Sequence, residues 1–165
     1  MPFPLSKSGS FRVETTGPAD QHVAGLETAL LDWLAYRMAT GVARPDHSIS
    51  FKGGVIRKIN YMSVISTVDS GTFQLSPQGS EIEFSYSLRF TELFLIVTGM
   101  VLFIFGPAAL GAAVIIGDRE AIMRGVAIVI VGWFWLFGGN YLIAIFLVPI
   151  ALKKVARRAT GGTII

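Results

Sequence analysis

The chain has 165 residues, a hydrophobic share of 52%, a charged share of 15% and a mean hydropathy of +0.60. Soluble domains carry about a quarter charged residues. The shortfall here sits in two charge-free stretches, 93–116 and 125–152, of 24 and 28 residues. Each exceeds the about 20 apolar residues a helix needs to cross a hydrocarbon core ~30 Å thick, which argues against a wholly soluble protein. The net charge is +3, yet residues 1–92 hold eight Lys/Arg against nine Asp/Glu, so the excess comes from Lys153, Lys154, Arg157 and Arg158. Four cations just past an apolar run read as a topology signal or a contact with anionic lipid headgroups, not as a nucleic-acid stripe. With no Cys, disulfides, thiol nucleophiles and Cys-ligated metal centres are excluded.

In chain order, residues 1–10 carry two Pro, three Ser and one Gly and read as a flexible arm with no secretory apolar core. Phe11, Val13 and Thr15 alternate with polar residues, predicting a strand. Gly17-Pro18-Ala19-Asp20 then opens a helix. Its apolar stripe is Val23, Leu26, Leu30, Trp33, Leu34 and Met38, and Gly41 is its expected stop. After the Pro45-Asp46-His47 turn, strands are predicted over 48–52, 61–68, 72–76 and 81–90. The last has Ile82, Phe84, Tyr86, Leu88 and Phe90 on one face.

The predicted architecture is an α+β head, one helix on an antiparallel β-sheet over 11–92, followed by a two-helix transmembrane hairpin. The order strand, helix, meander is similar to that of helix-grip lipid-binding domains. No motif assigns the chain to a family, and no functional residue is carried over. Expected spans are 93–116 and 125–152, joined by the short loop 117–124, with 153–165 as a basic tail. Five cations near the membrane on the head side (Arg89 and the four of the tail) face two, Arg119 and Arg124, on the loop. That excess predicts cytoplasmic termini.

The spans carry small residues at close-packing intervals, Ala108 with Ala112 and Gly132 with Gly139. Trp133, Trp135 and Asn140 fall nearby in the second span. All seven positions are candidates for packing within the hairpin or against another integral membrane protein. A hydrogen bond to the first helix is the default expectation for Asn140. Gly106-Pro107 predicts a distortion of the first span.

Neither span holds His, Cys, Asp, Glu, Lys or Arg, which speaks against an acid or histidine proton relay and against histidine ligation of haem by this chain alone. Asp46-His47-Ser48 has the residue types of a hydrolytic triad, but neighbours on one turn do not converge as a relay must. No catalytic, metal or cofactor-binding residue is assigned, and a cofactor is expected only as a lipid, pigment or quinone at a shared interface. The functional expectation is a non-catalytic accessory or scaffold subunit of a larger membrane complex, with photosynthetic and respiratory assemblies as example hosts. Its alternative is a membrane-tethered module that binds a lipid or another ligand between helix and sheet.

Overall fold

The computed structural model describes residues 5–53, 67–108, 111, 115 and 119–165. The head contains β1 (Ser6–Glu14), α1 (Ala19–Tyr36), β2 (Thr40–Ala43), β3 (Ser48–Lys52), β4 (Ser70–Gln78) and β5 (Glu81–Arg89). They form one antiparallel five-stranded sheet in the order β1-β5-β4-β3-β2. The alternation in β5 places Ile82, Phe84, Tyr86, Leu88 and the following Phe90 in the core. Phe11 stacks on Phe84 at 4.7 Å, and Phe84 meets Phe73 at 5.7 Å. Val23, Leu26, Leu30 and Leu34 of α1 cover this face.

Three local expectations change. Residues 6–10 are not a free arm, because β1 begins at Ser6 and pairs with β5 along its whole length. Gly9 makes that pairing feasible: a Cβ there would come within 2.5 Å of the Tyr86 hydroxyl. Helix α1 stops at Tyr36, and Met38 turns the chain with φ 59 and lies exposed. Gly41 is then not a helix stop but part of β2, where a Cβ would lie 2.8 Å from Leu34 Cδ1. The strand expected over 61–68 falls almost wholly outside the described residues.

Two apolar helices follow. The first comprises α2 (Thr91–Met100), a wide π-turn at Val101–Phe105, and residues up to Ala108. The second comprises α3 (Arg119–Trp133), a π-turn at Phe134–Gly139, and α4 (Asn140–Thr160), 42 residues in all. Both are long and apolar enough to cross a membrane. Leu93, Val97 and Val101 of the first pack on Phe137 of the second. The expected loop 117–124 is helical from Arg119 onward, with Arg124 paired to Glu120 one turn back at 2.8 Å.

The largest departure is at the C-terminus. Residues 153–165 are not a detached tail, because α4 runs to Thr160 and lies on the sheet beside α1. Its Ala144, Val148, Leu152 and Ala156 belong to the head core. A run of 28 residues makes a helix about 42 Å long, roughly 12 Å more than a hydrocarbon core. The surplus is the part of α4 that the head buries.

Gly161, with φ 65, ends the helix in the left-handed region. The chain then pairs with the free edge of β1: Glu14 N–H donates to Thr163 O at 2.9 Å, and Ile165 N–H to Arg12 O at 3.1 Å. The N-terminal strand and the C-terminus therefore share one body.

Candidate functional site

Two surfaces stand out, one on the hairpin and one on the head. Between the apolar helices lies a groove of about 340 Å³ lined by Val101, Phe105, Ala108, Ile128, Val129, Gly132 and Leu136. The π-turn at Val101–Phe105 shapes one wall. It lets the chain pass Pro107, which has no N–H and crowds the preceding turn. Gly106 N–H reaches back to Val101 O, and a Cβ on Gly106 would lie 2.7 Å from that oxygen.

The sequence candidates on the hairpin divide by direction. Ala108 and Gly132 line the groove, and Trp135 lies exposed beside Gly132 in an adjoining hollow. Trp133 turns inward, where its Nε1–H donates to Thr98 Oγ1 at 3.0 Å. This is a polar bond between the two helices, the role expected of Asn140. Asn140 instead donates from Nδ2 to Leu136 O, one turn back in its own helix, at 2.6 Å. Gly139 has open space where a Cβ would stand, and Ala112 lies outside the described residues. The aromatic cluster is split in the same way: Phe137 stacks on Tyr141 and meets Phe94 edge-on, whereas Phe134 and Trp135 face outward.

The four C-terminal cations sit on the head. Lys153 Nζ lies 5.6 Å from the centre of the Phe11 ring. Tyr141 meets Phe90 at 4.9 Å, where β5 hands over to α2. Lys153 is twelve residues beyond Tyr141, so it stands about 18 Å along the helix from that level. On the same outer face, Phe146, Leu147 and Ile150 are exposed before the cations begin.

The second surface is the sheet face opposite the helices. The strand registers lay polar residues in rows across it. One row runs Ser8, Ser87, Thr72, Ser50, and the next runs Ser6, Arg89, Ser70, Lys52, Thr40. A hollow of about 410 Å³ opens over these rows, with Arg44, Lys52 and Arg89 on its walls and, among the described residues, no carboxylate in its lining. Sequence reading groups Lys52 with Arg57 and Lys58 as a basic patch, a solvated loop by default with headgroup contact as the alternative, and Arg57 and Lys58 lie outside the described residues. It missed Arg89, 37 residues beyond Lys52, because only the register brings the two to one row.

Asp69, next to this row, points elsewhere: its Oδ2 accepts from Glu92 N–H at 2.6 Å in the first turn of α2. Burial holds its carboxyl above the ordinary carboxylate value; the hydrogen bond from Glu92 N–H opposes this and the Glu92 charge adds to it.

Asp46, His47 and Ser48 do not form a relay. Ser48 Oγ donates to Asp46 Oδ1 at 2.7 Å, while His47 Nδ1 pairs with Glu27 Oε1 at 2.9 Å. Among the described residues, no group of three His, Asp or Glu side chains could hold a metal ion. The space between α1 and the sheet is filled by the chain's own Leu26, Leu30, Phe73 and Phe84, all fully buried. Comparison with protein-family models, curated proteins and solved structures finds no match for this chain.

Proposed function

We propose that this chain is an integral membrane accessory subunit that docks on a larger membrane protein, with its head and both termini on the cytoplasmic side. The observation that carries this reading is the outer face of α4. Charged groups at the junction of head and hairpin, Arg89 and Glu92, set the level where hydrocarbon must end, since charge inside the bilayer is costly. Tyr141 lies at that level.

Yet the exposed apolar strip of Phe146, Leu147 and Ile150 continues about 14 Å beyond Tyr141. The inner face of the same segment is already buried in the head. An apolar strip above the headgroups calls for a protein surface. The apolar groove around Ala108 and Gly132 lies on the same hairpin and would receive a helix of that partner, since small residues permit close helix approach. A lipid, pigment or quinone at this shared groove is the cofactor class the lining would accept. Five head-side cations against two at the far loop support the orientation.

Native mass spectrometry after gentle extraction tests the reading. A stoichiometric complex with one membrane protein is expected. A lone monomer at native abundance contradicts it.

A further inference from the structure

We infer that the hollow on the outer sheet face binds the phosphate of an anionic lipid headgroup, an inference that rests on the membrane reading above. The first support is charge. Arg44, Lys52 and Arg89 share the hollow with Ser and Thr hydroxyls and, among the described residues, with no acid. None of the three cations is in an ion pair among the described residues. Arg44 also feels Asp46 in the neighbouring turn, whereas Lys52 and Arg89 flank Ser70 in a single cross-strand row. Outward side chains on alternate strands of such a row stand about 10 Å apart. Long cationic side chains over that gap can close on one phosphate, with the Ser70 hydroxyl between them.

The second support is position. Arg89 is two residues before α2, so this row is the end of the sheet from which the first apolar helix leaves. The opposite end carries Glu14 and Glu81 instead. The cations thus stand at the level of the headgroups, where each basic residue is drawn to anionic lipid.

The third support is the turn beside Thr40, which lines the hollow. Tyr36 and Met38 are exposed there, and Met38 holds a left-handed backbone (φ 59) that favours glycine. A tyrosine presented at that end suits the interfacial zone of a bilayer.

The test uses the full chain in nonionic detergent, titrated with short-chain phosphatidylglycerol, short-chain phosphatidylcholine and inorganic phosphate. Phosphatidylglycerol should bind at least tenfold more tightly than phosphatidylcholine. The variant Arg44→Gln/Lys52→Gln/Arg89→Gln should lose that preference, and Arg89→Lys should retain most of it. All three positions are exposed, and an unchanged melting curve shows that the variant is folded. Lys153→Gln/Lys154→Gln/Arg157→Gln/Arg158→Gln should keep the preference.

The inference is overturned if the triple variant keeps the preference or the α4 variant loses it. It is also overturned if inorganic phosphate binds as tightly as the lipid, which would make the hollow a site for free phosphate. Alkaline carbonate extraction of membranes separates the two layers of the reading. A chain released into the aqueous phase sinks the membrane reading and this inference together. A retained chain without lipid preference sinks this inference alone.

Discussion

Trp133 and Thr98 form a polar bond between the two apolar helices. Such bonds contribute about 1 kcal/mol. Trp133→Phe and Thr98→Val should each cost about that much coupling, and the double variant should cost less than their sum. Unfolding in mixed detergent measures the cycle, and strict additivity would mean that the bond contributes nothing.

Asp69 gives a pH signature. Its folded value is raised, so the folded chain holds that proton more tightly than the unfolded one. The stability this group supplies is full below its ordinary value of 3.8 and is lost as pH rises through the raised folded value. Asp69→Asn keeps an acceptor for Glu92 N–H and removes the ionisation. The variant should match the parent in acid and gain on it as pH rises, as read in melting curves from about pH 3 to about pH 8.

Gly162 is constrained by contact instead. A Cβ there would overlap the Glu14 carbonyl oxygen, so Gly162→Ala should open the C-terminal seam at a cost of about 1–3 kcal/mol. Amide exchange at Glu14, whose N–H bonds Thr163 O, reports it directly.

At the scale of elements, α4 belongs to two environments. Leu152 is fully buried in the head, so Leu152→Ala should destabilise the head by about 2–5 kcal/mol. The exposed Phe146 should tolerate Ala with little change in the isolated chain, as circular dichroism melts of both variants will show. This element also marks what the sequence could and could not reveal. The β5 alternation and the α1 stripe were readable, because each residue's partner face is fixed by its own period. The course of α4 was not, because hydrocarbon and a protein core ask for the same residues. Val148 and Leu152 look like membrane residues until the sheet is placed against them. Ser6–Ser10 misled for the opposite reason: Ser and Gly are poor strand formers, and their pairing is set by β5 and the Tyr86 ring. The hollow around Lys52 and Arg89 depends on register, which single-strand patterns do not carry.

At the scale of the molecule, the chain is a head closed by its own C-terminus and an apolar hairpin leaving from one end of the sheet. The Val13–Ile164 bridge and the α4 contacts hold the two ends of the chain in one body. With both long helices in a bilayer, the head has little freedom to swing, since β5 passes into α2 across Phe90 alone. A rigid head bearing an apolar strip, on a hairpin that carries a groove, is suited to holding a neighbour at a fixed angle. The most direct measurement is photo-crosslinking in native membranes, with the crosslinker placed in turn at Phe146, at Ile150 and, for comparison, at the exposed Leu95 of α2. Docking predicts one discrete protein adduct of fixed mass from Phe146 and Ile150. Adducts to lipid alone at all three positions would contradict it.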